Sequence, residues 1–315
     1  MRARIVGASF AVVKRLLLGG VAVLAGAALL VPLGGGAASE MVSRQVTTPL
    51  GEFSSEPPKK PLSLVFLHHS VGGRLLADAG EKQALGNEIW KSHPNGGGLR
   101  SLLEKNNYQV HEASYGSALG DKTDRADFLP KFRDHLDELL TTELNDKKIA
   151  TGRNQIVLWK ECFPNNFLDD EKALEEAKLE MRALLPIFAQ HPDVLFVHLT
   201  TPPLAARTEK EPAWKYLARA LLGKPQPGPR LEKSGPLARR LNDWVVGEWL
   251  KDYPQKNVAV FDLYNLLTDG KSNFLAYPTG DGSDSHPSRA GNQRAAAELV
   301  PFLNRAVRRA GLSES

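Results

Sequence analysis

The chain has 315 residues, 42% of them hydrophobic and 24% charged, with a formal net charge of +4 from interspersed acids and bases. That balance fits one sizeable globular core with room for insertions, and without a Lys/Arg stripe interleaved with aromatics it speaks against nucleic-acid binding. Cys162 is the single cysteine, so an intramolecular disulfide is excluded and the fold must rest on its core.

Arg2, Arg4, Lys14 and Arg15 precede an uncharged run from Leu16 to Leu33, which is followed by GGGAAS. A basic flank, an apolar stretch and small residues mark residues 1–39 as a signal peptide or an N-terminal membrane anchor. At about eighteen residues the run approaches the length that spans a bilayer. Cleaved or retained, it predicts export to the periplasm or beyond, with residues 16–33 as the tether to the cytoplasmic membrane in the retained form. No cysteine follows it for lipid attachment. Residues 40–61, polar and ending in SSEPPKKP, have the composition of a flexible linker, and the globular domain is expected over 62–315.

Leu64, Val65, Phe66 and Leu67 form an unbroken apolar run, which suits a strand buried on both faces of a parallel sheet. GLRSLLEK from Gly98 reads as a helix and YQVHEAS from Tyr108 as a second strand. The stretch after Arg125 has helical spacing around one proline, and QIVLW at 155–159 is a third strand. The segment from Leu168 to Gln190 opens with acids and carries Leu174, Ala177, Leu179 and Leu184 as an apolar side, which predicts an amphipathic helix with a favourable dipole at its start. A fourth strand at 194–200, a helix from Pro236, a fifth strand at 257–263 and a last helix after Pro287 complete the pattern. Short apolar strands separated by helices predict an α/β fold, a five-stranded parallel sheet with helices on both faces. Residues 203–235, rich in proline and basic residues, are long for a connection and predict an insertion or a partial lid.

In such a sheet the loops after the strands converge on one edge, where α/β folds place their sites. Ser70 follows strand one, and Gly116 and Gly120 follow strand two, where glycine allows a tight turn that aims backbone N–H groups at a ligand. Lys160, Glu161, Asn165 and Asn166 follow strand three, with Lys160 and Glu161 open to a surface ion-pair reading and Cys162 to that of a small buried hydrophobe. DGSDSHP, with Asp281, Asp284 and His286, precedes the last helix. A hydroxyl, an imidazole, a carboxylate and several donors match the inventory of acyl transfer, because serine needs a base to take its proton and an oxyanion needs preorganised donors. Asp262, at the end of strand five, reads as a structural residue bonding loop amides, and Asp121, Thr123 and Asp124 as residues that fix the turn after Gly120.

These blocks, in this order, resemble the SGNH/GDSL hydrolase superfamily over roughly Leu62 to Ala310, in a divergent bacterial branch that opens its nucleophile block with His-His-Ser. The resemblance implies a three-layer, flavodoxin-like sandwich, no cofactor, and an ester hydrolase with Ser70 as nucleophile and His286 as base. It also implies oxyanion donors from Gly120, or less closely Gly116, and from an asparagine at Asn165 or Asn166, with His69 beside them. The superfamily's acid stands three residues before the histidine, where this chain has Ser283. Asp284, two before His286, is the carboxylate chosen to orient it, the alternative being a backbone carbonyl on that ring nitrogen. The implied substrate is an O-acyl ester of an extracytoplasmic glycan or a small ester, with acyl transfer to a sugar sharing the same acyl-enzyme. Two other classes use the same residues: a catalytically inactive glycan- or envelope-binding protein, and a metal-dependent hydrolase holding its ion on His68, His69 and His286.

Overall fold

The computed structural model describes residues 50–206, Leu221 and residues 227–313. The leader expected over 1–39 and most of the insertion expected over 203–235 lie outside the described residues. Along the chain, β1 (Leu62–Leu67) leads into α1 (Ser70–Leu76), and β2 (Asp78–Ala79), β3 (Gln83–Gly86) and β4 (Ile89–His93) follow. Next come α2 (Leu99–Glu104), β5 (Tyr108–Ala113), α3 (Arg125–Asp134), α4 (Leu136–Leu140), β6 (Thr142–Leu144) and β7 (Lys147–Lys148). After them run β8 (Ile156–Trp159), a 3₁₀ turn (Phe163–Asn166), α5 (Glu171–Ala189), β9 (Leu195–Leu199) and α6 (Pro227–Gly247). The chain closes with β10 (Val258–Phe261), α7 (Leu263–Leu267), β11 (Pro278–Thr279), β12 (Asp284–Pro287) and α8 (Arg289–Arg309).

The fold is α/β, with a central, mostly parallel sheet in the order β10-β9-β8-β1-β5-β6-β7. β1, the strand that leads to Ser70, lies between β5 and β8 and pairs in parallel with both. Its alternate residues face opposite ways, as the pleat requires. Val65 and Leu67 join the core under α3, α5 and α6, whereas Leu62, Leu64 and Phe66 join the core under α1, α2 and α8. β10 repeats the split, with Val258 and Val260 on the first face and Ala259 and Phe261 on the second. Both faces are covered, which is why these strands read as continuous apolar runs. Burying each such side chain stabilises the fold by about 1.5–3 kcal/mol.

The sheet has seven strands where the apolar runs predict five. The additions are β6 and β7, which extend the β5 edge; β6 meets β5 in parallel and β7 turns back antiparallel. Their sequences, TEL and KK, contain no alternating apolar positions for a pattern to register. A second addition is the small sheet β2-β4-β3 between α1 and α2, which closes over α1. Gly73 permits that approach, because a Cβ there would lie 1.9 Å from the Glu88 carbonyl oxygen.

α5 buries Leu174, Ala177, Met181, Leu184 and Phe188, a three-four stripe of one helix face. Leu179, expected on that face, is 61% exposed. It stands five residues after Leu174, more than a third of a turn from the stripe. Asp170 caps the helix by accepting the Ala173 N–H at 2.9 Å. Asp262 caps α7 in the same way, accepting the Asn265 N–H at 3.1 Å, in keeping with its structural reading. Of the stretch read as a linker, residues 50–61 are described and are docked on the domain. Leu50 is buried, the Ser55 carbonyl accepts from Asn304, and the Pro57 carbonyl accepts from Arg308.

Candidate active site

Leu67 is level with Ala113 of β5 and with Trp159 of β8. Three loops therefore leave the sheet edge side by side, carrying His68-His69-Ser70, Ser114-Tyr115-Gly116 and Lys160-Glu161-Cys162. Ser70 is the first residue of α1, and its hydroxyl donates to His286 Nε2 at 2.7 Å. The other ring nitrogen, Nδ1–H, donates to Asp284 Oδ1 at 2.5 Å. The two-residue spacing of Asp284 and His286 works because both lie on β12, where residues i and i+2 share a face. Asp284 Oδ1 also accepts the His286 backbone N–H at 3.0 Å, and Oδ2 faces Arg74 at 3.6 Å. Arg74 is one turn beyond Ser70 on α1. The Phe163 and His286 rings meet in a T-shaped arrangement, with centroids 5.3 Å apart.

The electrostatics suit proton transfer from serine. Burial lowers the His286 pKa below its ordinary value and the Arg74 charge adds to this, while the Asp284 hydrogen bond pulls the other way. The imidazole is therefore neutral at neutral pH, with Nε2 free to accept. Burial acts to raise the Asp284 pKa, but the hydrogen bonds from His286 and the charges of His286 and Arg74 outweigh it and hold the carboxyl below its ordinary value. It stays ionised where an imidazolium would form.

The residues expected as oxyanion donors are bound up in the loops instead. Gly120 N–H donates to Ser117 Oγ at 2.9 Å, and the Gly120 carbonyl accepts from His69 Nε2 at 2.8 Å. Gly120 matters as a point of close contact: a Cβ there would lie 2.3 Å from the Ser114 backbone. Gly116 N–H donates to Asp121 at 3.1 Å. The Asn165 amide donates to Asp124 at 3.0 Å, and the Asn165 carbonyl oxygen accepts from Arg125 N–H at 3.0 Å. Asn166, fully buried, donates to the carbonyls of Thr201 and Pro202. All four groups have their partners within the fold, because a buried amide left unpaired would be costly.

The two histidines before Ser70 are ties rather than ligands to a common centre. His68 is fully buried, donating from Nε2 to Glu112 at 2.9 Å and from Nδ1 to the His69 carbonyl at 2.9 Å. Arg100 holds the other Glu112 oxygen. His69 donates to the Gly120 carbonyl, and its Nδ1 accepts the Thr123 hydroxyl at 3.0 Å. With His68 turned to Glu112, the imidazoles of His68, His69 and His286 do not converge. Among the described residues no group of three or more His, Cys, Asp or Glu side chains could hold a metal ion.

Lys160 and Glu161 are buried, not a surface ion pair. Glu161 is gripped by Arg125 through two bonds, at 3.1 and 2.5 Å, and accepts the Thr201 hydroxyl at 2.9 Å. Lys160 is entirely buried, and loss of hydration pushes its pKa down. Its charge acts on Cys162. Burial would raise that thiol's pKa, but Lys160 and the hydrogen bonds of His69 and Thr123 outweigh it and bring the value to about 7.

Sequence reasoning missed Tyr115, Arg74 and Phe163. The Tyr115 ring stacks on His69 with centroids 3.5 Å apart and planes at 24°. Burial, with the neighbouring Cys162 and Glu88, pushes its pKa up to about 12. It stands next to Gly116 in a loop read for its glycines and for Asp121, Thr123 and Asp124. Its place just past a strand that pairs with β1 was the available signal.

No protein-family model and no curated protein matches the chain. Solved structures with a related chain path include a candidate acylhydrolase from Bacteroides fragilis, at 17% identity over 81% of this chain and 93% of that one, with a TM-score of 0.42. An acetylxylan esterase from Geobacillus stearothermophilus matches at 11% identity over 78% of this chain and 94% of its own, with a TM-score of 0.39. An α/β hydrolase enzyme from the metagenome of Lake Arreo, Spain, matches at 13% identity over 83% of this chain and the whole of its own, with a TM-score of 0.38. Likenesses this distant leave the activity to be argued from the residues that meet at Ser70.

Proposed function

We propose that the chain is a serine-dependent ester hydrolase of the SGNH type. The observation that carries this reading is the continuous relay from Ser70 Oγ to His286 Nε2 at 2.7 Å and from His286 Nδ1 to Asp284 at 2.5 Å. In the proposed reaction Ser70 Oγ attacks the ester carbonyl carbon while His286 Nε2 takes the hydroxyl proton. The carbonyl π pair moves onto oxygen, and Asp284 faces the resulting imidazolium. Collapse of the tetrahedral intermediate breaks the bond to the leaving alcohol, which receives the proton from His286. Water, deprotonated by the same nitrogen, then attacks the acyl-serine; collapse of this second tetrahedral intermediate breaks the acyl–Oγ bond, and His286 returns the proton to Ser70 Oγ as the acid leaves.

The leader-like residues 1–39 support an exported protein, periplasmic or extracellular, either freed or anchored through 16–33. There an O-acyl ester of a glycan, or a small ester, is the proposed substrate. Acyl transfer to a sugar hydroxyl differs only in which nucleophile meets the acyl-enzyme. No metal or cofactor takes part in this scheme.

The test is intact-mass analysis of the purified protein after treatment with a fluorophosphonate, beside Ser70→Ala and His286→Ala, followed by acetate release from acetylated glycans. One adduct per wild-type chain, absent in both variants, is expected. Full resistance under conditions that label a control serine esterase sinks the serine mechanism. Glycan binding without turnover would then point to the inactive binding protein, and chelator-sensitive turnover to metal chemistry.

A further inference from the structure

The hairpin that carries Asp284 and His286 has little of its own to hold it in place. β11 is two residues long, and Pro278 and Pro287 face each other in its register with no N–H to give to the ladder. A two-stranded hairpin is marginal by itself, so the position of His286 depends on ties to the rest of the domain. One such tie runs through the loop after β4, Pro94-Asn95-Gly96-Gly97. At one end Gly97 N–H donates to the Arg74 carbonyl of α1 at 2.9 Å, and Gly98 N–H donates to the carbonyl of Ala77, the C-cap of that helix, at 2.8 Å. Glycine allows this approach, because a Cβ on Gly97 would lie 2.7 Å from the Leu75 carbonyl oxygen. At the other end the Asn95 side-chain amide donates to Thr279 Oγ1 at 3.3 Å, and the Thr279 hydroxyl donates to the His286 carbonyl at 2.8 Å. Between the ends, the buried Asn292 amide donates to the Asn95 and Pro287 carbonyls at 2.8 and 3.0 Å, and Arg289 Nε donates to the Pro94 carbonyl at 2.9 Å.

We propose that this loop is a strut between the helix of the nucleophile and the hairpin of the base, and that Thr279 and Asn95 are positioning residues that set the Ser70–His286 contact. The proposal rests on the serine-hydrolase reading above and extends that site to two residues outside it. The path from Ser70 along α1 to Arg74, across to Gly97 and Asn95, on to Thr279 and back to His286 is a closed ring. Its last link is the 2.7 Å bond between His286 Nε2 and Ser70 Oγ. A side-chain link between the same two elements, Arg74 to Asp284, is 3.6 Å long and beyond hydrogen-bond range, so it fixes the spacing less tightly. Proton transfer from the serine needs the imidazole at hydrogen-bond distance, and a base displaced by a fraction of an ångström loses rate without any change in its identity. Thr279 both accepts from Asn95 and donates to His286, so its hydroxyl is the joint of the strut. Asn95 acts only through it. The β4 extension, which the apolar pattern of the chain does not announce, thereby braces the base against the nucleophile.

The test compares the wild-type full-length chain with Thr279→Val, Thr279→Ser, Asn95→Ala and the double variant Asn95→Ala/Thr279→Val. It reads p-nitrophenyl acetate turnover, the rate of fluorophosphonate labelling and thermal melting. Thr279→Val keeps the shape of the side chain and removes the hydroxyl. It is expected to lower kcat about tenfold with KM changed less than about threefold, and to slow labelling by a similar factor, because a misplaced base slows serine attack without emptying the site. Thr279→Ser keeps the hydroxyl and is expected to stay within about threefold of wild type. Asn95→Ala is expected to lower kcat about fivefold, and the double variant to be about as slow as Thr279→Val alone, since both residues act through one link. A labelled wild type together with a Thr279→Val kcat within about threefold of it overturns the strut and leaves the serine mechanism standing. A double variant slowed by the product of the two single effects also overturns it, as does a Thr279→Ser protein as slow as Thr279→Val. Absence of labelling in wild type overturns the serine reading and the strut with it. If Thr279→Val melts too early to assay, Asn95→Ala decides, and an Asn95→Ala protein with wild-type kcat overturns the proposal.

Discussion

Replacing Asp284 with asparagine separates two things this side chain does, orienting His286 and facing its positive charge. Asparagine is nearly isosteric, and its carbonyl oxygen can still accept from His286 Nδ1 and from the His286 backbone N–H, the two bonds that Oδ1 accepts now. Orientation and tautomer should therefore survive. What is lost is the negative charge next to the imidazolium, which turns a charge-assisted hydrogen bond into a neutral one. Hydrogen bonds to charged groups contribute about 1.5–3 kcal/mol against about 1 kcal/mol for neutral ones. Asp284 is 39% exposed, so solvent screens part of that difference. A net loss of about 1–2 kcal/mol in the transition state corresponds to a kcat lower by roughly 5- to 30-fold. The assay is turnover of p-nitrophenyl acetate above pH 8 with the fluorophosphonate labelling rate in parallel. Asp284→Ala should lose more, because it leaves His286 Nδ1 without its acceptor and Arg74 without its partner. An Asp284→Asn protein as active as wild type would show that the carboxylate only ties the turn. One as inactive as Ser70→Ala, with an unchanged melting temperature, would equally refute the estimate.

Other expectations follow from the same geometry. Because His286 must be neutral to act and its pKa lies below the ordinary value, kcat/KM should rise with pH through a midpoint below about 6.5. Removing the nearby positive charge in Arg74→Met should move that midpoint upward in a pH–rate profile, and a midpoint that stays put or falls contradicts the assignment. Gly73→Ala should destabilise the protein by about 1–3 kcal/mol in urea unfolding, although alanine normally favours a helix by about 1 kcal/mol, because its Cβ would meet the Glu88 carbonyl at 1.9 Å. A stabilised variant would refute that contact. Glu161→Gln should cost about 3–5 kcal/mol by leaving the buried Arg125 guanidinium without its counter-charge, as read by thermal or chemical unfolding. A loss under about 1 kcal/mol would show that Arg125 finds another partner or water.

The strands that carry the site were legible because burial on both faces writes itself as an uninterrupted apolar run, as in Leu64 to Leu67 and Ile156 to Trp159. β2, β3, β6 and β7 left no such trace, since short, largely exposed strands owe their pairing to neighbours rather than to their own pattern. Ser70, Asp284 and His286 could be brought together on paper because each stands at a strand end or just before a helix. The oxyanion side could not be read that way. Glycine and asparagine in a loop announce donors, but whether those donors face substrate or tie the loop together is decided by partners such as Ser117 and Asp121, and pairing of that kind has no sequence spacing. The adjacent histidines were similarly ambiguous. Which way each ring turns depends on Glu112 and Thr123, in different elements.

The placement of Asp284 and His286 on one short strand has a mechanical consequence. Acid and base ride on the same hairpin, whereas the nucleophile is fixed to the central strand through α1. A small displacement of that hairpin would change the serine–imidazole distance and leave the imidazole–carboxylate distance almost untouched. Because Arg74 stands on α1 with Ser70, the same displacement would also change its distance to Asp284 and His286, so the basicity of the imidazole and its access to the nucleophile change together.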